Sequence, residues 1–131
     1  MDEPLFLELT EGLEVHRSQI ERYGGSHGVR DLGLLESAVE TPRATFGEVF
    51  LHSDLFEMAA AYLYHIAMNH PFIDGNKRTA FVAALVFLRM NGYHVPAADT
   101  RNYGLVLGVA EGRIAKSTAA EFFRKYAKPL K

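Results

Sequence analysis

A histidine, a carboxylate, a glycine and two cations stand together in residues 70–79, which read His-Pro-Phe-Ile-Asp-Gly-Asn-Lys-Arg-Thr. An imidazole such as that of His70 accepts a proton from a hydroxyl near neutral pH, which is the work of a general base. Asp74 offers hard carboxylate oxygens of the kind that bind Mg²⁺ jointly with nucleotide phosphates. The segment therefore combines groups for proton transfer with a ligand for a phosphate-bound metal.

A helix that begins near Asn76 would add backbone groups to this set. The first N–H groups of a helix have no partner inside it, and the positive end of the helix dipole attracts anions. We therefore expect the N–H groups of Gly75, Asn76 and Lys77 to cradle a phosphate, with Gly75 allowing close approach of the backbone. Adjacent helix side chains point about 100° apart. Of the two cations, we expect Arg78 to contact the phosphate directly.

Each of these groups also has a structural interpretation, because a histidine after a helix often caps it and Asp-Gly often forms a turn. A Walker A loop is excluded, because His70 stands where its first glycine is required and neither Ser nor Thr directly follows Lys77. His65 and His70 are five residues apart rather than four, and no Glu follows His65, so a zinc pair is not predicted. Structural or surface roles are predicted for the isolated histidines His16, His27, His52 and His94.

Apolar residues at helical spacing, with residues that cap or end helices, predict about six helices. These are a first helix ending near Gly24, a second capped by Asp31 and ended by Pro42, a third capped by Asp54 and reaching His70, a fourth from about Asn76 to Gly92, a fifth capped by Thr100 and a sixth capped by Ser117. The apolar run at residues 80–88 is too short for a bilayer, which needs about 20 residues, and predicts a helix buried on all sides. Residues 45–53 fit a short extended flap, a loop or a helical turn.

Length and composition indicate one compact domain over residues 1–131, since 131 residues with 48% apolar content suffice for a single core. The predicted helices make this domain an all-α bundle. The net charge of −2 argues against nonspecific nucleic-acid binding. The acidic N-terminus lacks the features of a secretory signal, so we expect a cytoplasmic protein without membrane contact. The absence of cysteine excludes disulfides and thiolate chemistry.

Residues 70–78 resemble the Fic motif, His-x-Phe-x-Asp/Glu-Gly-Asn-Gly/Lys-Arg. Similarity to the death-on-curing (Doc-like) branch of the Fic/Doc family extends through residues 22–25, 28–36, 42–43 and 80–92. The resemblance implies an all-α Fido fold in which His70 activates a target hydroxyl and Asp74 binds Mg²⁺. It also implies that residues 75–77 and Arg78 hold the phosphates of ATP.

Two positions depart from Fic enzymes that transfer AMP: Lys77 stands where they usually carry glycine, and Phe81 stands where they usually carry a second arginine. The Doc branch shares the Lys-Arg ending. It implies a toxin that transfers the terminal phosphate of ATP to a protein of the elongation factor Tu class. The alternatives are a Fic-type protein adenylyltransferase and a catalytically silent protein-binding module.

The Doc resemblance also implies a Phd-type antitoxin, whose partly disordered tail folds as a helix into an apolar groove. Self-inhibiting Fic proteins instead carry a helix with the pattern Ser/Thr-x-x-x-Glu-Gly/Asn. Here residues 10–15 and 53–58 begin that pattern, but each ends in an apolar residue in place of Gly or Asn. We therefore expect inhibition by a separate protein.

Overall fold

Helices make up most of the computed structural model, which describes residues 3–96 and 100–130. Over these ranges the α-helices are α1 (Leu9–Tyr23), α2 (Leu32–Glu40), α3 (Leu55–Asn69), α4 (Asn76–Met90), α5 (Thr100–Ala110) and α6 (Lys116–Tyr126). A 3₁₀ turn covers Thr41–Arg43, and two short antiparallel pairs join β1 (Thr45–Phe46) to β2 (Val49–Phe50) and β3 (Tyr93–His94) to β4 (Lys128–Pro129). The predicted all-α fold of about six helices is confirmed.

Helix α3 lies at the centre of the bundle, where it packs against α2, α4, α5 and α6. Its contact with α4 is lined by small side chains, which let two helices approach closely. The buried alanines are Ala59, Ala60, Ala61 and Ala67 on α3 and Ala80, Ala83 and Ala84 on α4. Fully buried rings of Tyr62, Phe72, Phe87 and Phe123 fill the surrounding space. This packing fixes the ends of α3 and α4, between which residues 70–75 lie.

Three predicted helix boundaries are confirmed. The Asp31 carboxylate accepts a hydrogen bond from the Leu34 N–H at 3.0 Å, and that of Asp54 accepts one from the Glu57 N–H at 2.8 Å. Both aspartates therefore cap their helices. Gly24 ends α1 with a φ of +91°, a backbone conformation that glycine adopts without a steric penalty.

One predicted cap of the last two helices is wrong, and the other lies at the edge of the described residues. Helix α5 begins at Thr100, and residues 97–99 are outside the described ranges. In α6 the N-cap position belongs to Ala115, two residues before Ser117, and no side chain caps the helix there. Since Ala119, Ala120 and Phe123 of α6 are buried, packing sets the start of this helix rather than serine capping.

Helix α4 is not buried on all sides, contrary to the prediction from its apolar run. Its buried face carries Ala80, Ala83, Ala84, Phe87 and Leu88, whereas Phe81, Val82, Leu85 and Val86 are only partly buried. The apolar side chains on that second face line surface cavities instead. The continuous apolar run of α4 therefore has two causes: one face of the helix packs in the core, and the other face lines surface cavities.

The segment that the sequence left open, residues 45–53, contains the antiparallel pair β1 and β2. Phe46 is 80% exposed and Val49 is 70% exposed, so the pair projects from the bundle. No helix within the described ranges is long and apolar enough to cross a membrane.

Candidate active site

His70 ends α3 in the left-handed conformation, with φ +49° and ψ +55°, which is uncommon for a residue other than glycine. Arg30 holds this turn from the segment before α2. Its Nε donates to the His70 carbonyl at 2.6 Å, and its Nη2 donates to the Asn69 carbonyl at 2.8 Å. A cation at the C-terminus of a helix is favourable, because it complements the negative end of the dipole. Arg30 therefore caps α3 and orients the backbone of His70.

The loop after His70 rests on the segment between α1 and α2 through backbone hydrogen bonds. The Pro71 carbonyl accepts from the N–H groups of Arg30 at 2.7 Å and Asp31 at 3.0 Å, and the Ile73 N–H donates to the Gly28 carbonyl at 3.0 Å. Gly28 has a φ of +126°, and a Cβ there would lie 2.6 Å from Ile73 Cδ1. The positive φ favours glycine at this position, and a larger residue would also displace the end of the Ile73 side chain.

Asn76 closes the loop with its side chain. Its Oδ1 accepts from the Phe72 N–H at 2.9 Å, and its Nδ2 donates to the Phe72 carbonyl at 2.9 Å. The Phe72 ring is buried and stacks on the His16 ring, with centroids 3.8 Å apart and planes at 2°. The Asn76 side chain is thus committed to the loop, and its backbone N–H is the group left for a ligand.

The Asp74 carboxylate is exposed and held by two backbone donors. Oδ2 accepts from the Ser26 N–H at 3.0 Å, and Oδ1 accepts from the Gly75 N–H at 2.8 Å. These two hydrogen bonds, led by that from Ser26, lower the pKa of Asp74. The group is therefore ionised at neutral pH. Each oxygen accepts only one hydrogen bond and retains the capacity to bind a cation.

The start of α4 presents unpaired backbone donors. The Thr79 N–H bonds to the Gly75 carbonyl at 3.0 Å, whereas those of Asn76, Lys77 and Arg78 have no acceptor among the described residues. Because the Gly75 N–H is bonded to Asp74, the three open donors lie one residue later than the sequence predicted. Three such N–H groups at the positive end of a helix dipole favour an anion.

All six residues proposed from the sequence as site residues lie together. They line a cavity of about 380 Å³, whose lining residues are His70, Ile73, Asp74, Gly75, Asn76, Lys77 and Arg78. Arg78 is anchored at its far side, where Nη2 donates to the Gly24 carbonyl at 2.8 Å. The arrangement places an imidazole, an ionised carboxylate, two cations and open N–H groups around one space, which suits a phosphate-containing ligand and its counterion.

His16 is a site-supporting residue that the sequence analysis did not connect with this loop. It is only 4% exposed, and its Nε2 lies 2.8 Å from the Asp74 carbonyl oxygen. Burial lowers the pKa of His16, so the ring is neutral, and a carbonyl partner assigns the proton to Nε2. The two residues are 58 positions apart. No local pattern connects residues at that separation.

Comparison with known proteins places the candidate site inside a family match. The Fic/DOC family model matches residues 6–88. "Toxin Doc" of Mycolicibacterium smegmatis is 48% identical over 75 residues, which are 57% of this chain and 58% of that protein. "Protein kinase doc" of Escherichia phage P1 is 39% identical over 119 residues, 86% of this chain and 88% of that protein. The chain thus spans little more than half of the first relative and most of the second.

Proposed function

Because the chain belongs to the Fic/DOC family, we propose that it is a Doc-like toxin that transfers the terminal phosphate of ATP to a hydroxyl of a target protein. One observation carries this proposal: His70, Asp74 and the open N–H groups at the start of α4 line a single cavity. The phage relative is called a protein kinase, which agrees with phosphate transfer. A target of the elongation factor Tu class remains the proposal from family resemblance.

In this proposal His70 is the general base. Its side chain is exposed, and its ring has no hydrogen-bond partner among the described residues, so both ring nitrogens remain available to a substrate. The imidazole takes the proton of the target hydroxyl as the hydroxyl oxygen bonds to the terminal phosphorus of ATP. The bond from that phosphorus to the bridging oxygen breaks, and ADP leaves.

The phosphates would lie against the open N–H groups of Asn76, Lys77 and Arg78, with the two cationic side chains adding charge. Among the described residues, no group of three His, Cys, Asp or Glu side chains could hold a metal by itself. The site therefore fits Mg²⁺ only if the nucleotide phosphates supply further ligands. Asp74 would therefore bind it together with phosphate oxygens. When bound, Mg²⁺ neutralises charge on the transferring group. Gly75 shapes the cradle through its left-handed turn, φ +76°.

Two side chains support phosphate transfer over AMP transfer. Lys77 is exposed at the edge of the cavity, where AMP-transferring relatives carry glycine. Phe81 replaces their second arginine, and its ring packs on Phe123 with centroids 6.5 Å apart. An apolar ring cannot bind a phosphate, so this side of α4 lacks the cation that a differently placed triphosphate would need.

Labelled ATP tests the proposal. The protein is incubated with bacterial lysate and ATP labelled at the α or the γ position, with His70→Ala as the matched control. Protein labelling from γ alone, absent with His70→Ala, is the expected result. Labelling from α identifies an adenylyltransferase and overturns phosphate transfer. If wild type and His70→Ala transfer no label and are equally harmless to cells, the chain is a binding module.

An antitoxin of the Phd type is the proposed inhibitor. A mainly apolar cavity of about 340 Å³ lies between α4 and α5 and borders the site at Lys77 and Arg78. Its apolar wall includes Phe81, Val82 and Val106. An amphipathic helix laid there would sit beside the phosphate cradle. Co-expression with the neighbouring gene product should restore growth, and Tyr103→Glu at the cavity rim should prevent that rescue while leaving transfer intact. Failure of the wild type to be rescued would refute inhibition by that product.

A further inference from the structure

A second group of basic side chains lies at the start of α6, and the proposed reaction does not use it. Lys116 Nζ is 3.1 Å from His52 Nε2 and 3.0 Å from His65 Nε2. Lys116 is the first residue of α6, His65 lies on α3, and His52 lies in the segment before α3. These three residues, here called the His-Lys-His cluster, connect three separate parts of the chain.

The two hydrogen bonds of the cluster can be made by a neutral amine as well as by an ammonium group. An uncharged lysine amine has two N–H bonds and one lone pair, and the two imidazole nitrogens accept its two N–H bonds. Among the described residues no carboxylate forms an ion pair with Lys116. The nearby carboxylates of Asp54 and Glu121 each pair with Arg124 instead, at 2.7 Å. The lone pair of Nζ is then left over, which is the electron pair that a nucleophile needs.

Burial disfavours positive charge in the cluster and opposes the Tyr64 ring, whose centroid lies 5.8 Å from Lys116 Nζ and whose face attracts a cation. Burial is the largest cause that lowers the pKa of His52 and lowers that of His65 to about 4, so both imidazoles are neutral at pH 7. Burial lowers the pKa of Lys116 against the opposing attraction of Glu57. A position at the N-terminus of α6 acts in the same direction, because the positive end of the dipole repels an ammonium group.

A small molecule can reach the cluster. A cavity of about 230 Å³ opens beside it, lined by His52, Glu57, Lys116, Ser117, Ala120, Glu121 and Arg124. Lys116 is half-buried rather than enclosed, so a small reagent in this cavity can approach Nζ.

We propose that Lys116 is a nucleophilic amine that is acylated by small activated acyl donors, of which an acyl phosphate is the probe used below. The Nζ lone pair forms a bond to the acyl carbon, and the carbon–oxygen bond to phosphate breaks, releasing inorganic phosphate. The proton that Nζ loses passes to Nε2 of His52 or His65 and then to water. The product amide has one N–H instead of two. Lys116 can then bond only one of the two imidazoles, which loosens the link between α6 and the segment of His52.

The test is acylation of the full-length protein by acetyl phosphate at pH 7, followed by peptide mass spectrometry of each lysine. Lys125 is the matched control, because it is exposed on the same helix. We expect Lys116 to be acetylated at least about fivefold faster than Lys125, as for other desolvated lysines. Equal or slower acetylation of Lys116 would overturn the proposal. The rate at Lys116 should also level off at a lower pH than that at Lys125.

Two variants separate this chemistry from the proposed enzyme activity and from simple exposure. His70→Ala should leave the Lys116 rate unchanged, because the cluster acts independently of the candidate active site. His52→Gln with His65→Gln should reduce the ratio of the Lys116 and Lys125 rates toward one, with far-UV circular dichroism confirming the fold. A ratio that stays high in the folded double variant would refute the role of the imidazoles. If the double variant does not fold, the ratio of the Lys116 and Lys125 acetylation rates in the wild-type protein still tests whether Lys116 is the more reactive amine.

Discussion

The molecule carries two basic clusters at helix starts, and they are built in opposite ways. At the start of α4, side chains are anchored to backbone carbonyls: Arg78 to Gly24, Arg30 to His70 and His16 to Asp74. At the start of α6, side chains are bonded to one another, with Lys116 between two imidazoles. Backbone anchoring leaves the ring of His70 and the N–H groups of α4 open to a ligand. At the start of α6, burial instead lowers the pKa of the lysine and of both histidines.

The difference explains why a helix start alone does not make a phosphate site. At α4 the open N–H groups are accompanied by an ionised carboxylate and by cations without an imidazole bonded to them. At α6 the cation nearest the helix start is half-buried, and burial lowers its pKa. The predictions below test this contrast, beginning with the largest expected effect.

Replacing His70 should abolish transfer while leaving the fold intact. Asn is the better substitution than Ala for stability, because it tolerates the left-handed backbone that this residue adopts. We expect both variants to lose about 10²- to 10⁴-fold in the rate of γ-phosphate transfer, the usual contribution of a general base. Thermal unfolding of His70→Asn should match that of wild type. Substantial transfer by either variant would remove His70 from the mechanism.

Gly25→Ala should damage the backbone-anchored site, whereas Gly24→Ala should not. A Cβ at Gly25 would lie 2.7 Å from Asp74 Oδ2 and 3.2 Å from Arg78 Nη2, but one at Gly24 meets nothing within 4 Å. Both glycines have positive φ, so both variants carry backbone strain of about 1 kcal/mol. Only Gly25→Ala should also lower the transfer rate, by about tenfold or more. Equal rates in the two variants would contradict this account of the site.

His16→Phe should weaken the support of Asp74 while keeping the ring stacked on Phe72. The lost hydrogen bond leaves the Asp74 carbonyl unpaired at a cost of about 1–2 kcal/mol in unfolding free energy. We also expect a higher Mg²⁺ concentration for half-maximal transfer. Val109→Ala in the buried part of α5 is the control, since it should lower stability without changing the Mg²⁺ requirement. An unchanged Mg²⁺ requirement in His16→Phe would limit His16 to a structural role.

His65→Gln should flatten the acid side of the stability profile. The pKa of His65 lies near 4 in the folded protein and near 6.5 in the unfolded chain, because burial and Lys116 oppose its protonation. Below pH 6.5 the unfolded chain therefore binds more protons, and stability falls until about pH 4. Since the ring is about half-exposed, we expect this loss to be about 1–2 kcal/mol after allowance for solvent screening. Urea unfolding at pH 7.5 and pH 5 measures it, and an identical pH dependence in His65→Gln would contradict this prediction.

The sequence predicted those features that depend on residues close together along the chain. The site residues fall within positions 70–78, and the caps Asp31 and Asp54 act on residues three positions away, so neighbouring residues carry the information. The start of α6 was misplaced because Ser117 is a good cap by type, but buried side chains of that helix set its position. Likewise the apolar run of α4 does not distinguish a core face from a cavity wall.

Long-range contacts are the part that the sequence did not disclose. His16 meets Asp74 across 58 positions, and His52 meets Lys116 across 64, so no periodicity or motif links either pair. His52 in particular was expected to be isolated. The packing of α3 against α6 brings the segment before α3, which contains His52, to Lys116. Such pairs depend on the packing of whole helices, which the spacing of individual residues does not specify.

The central claim is that the start of α4, and not that of α6, binds the nucleotide phosphates. Amide NMR spectra of the ¹⁵N-labelled protein, recorded during titration with Mg²⁺ and a non-hydrolysable ATP analogue, test it most directly. We predict large shift changes for the N–H groups of Asn76, Lys77 and Arg78, weakened in Asp74→Asn, with those of Lys116 and Ser117 unmoved. Unchanged amides at residues 76–78, or a response centred on α6, would contradict the account.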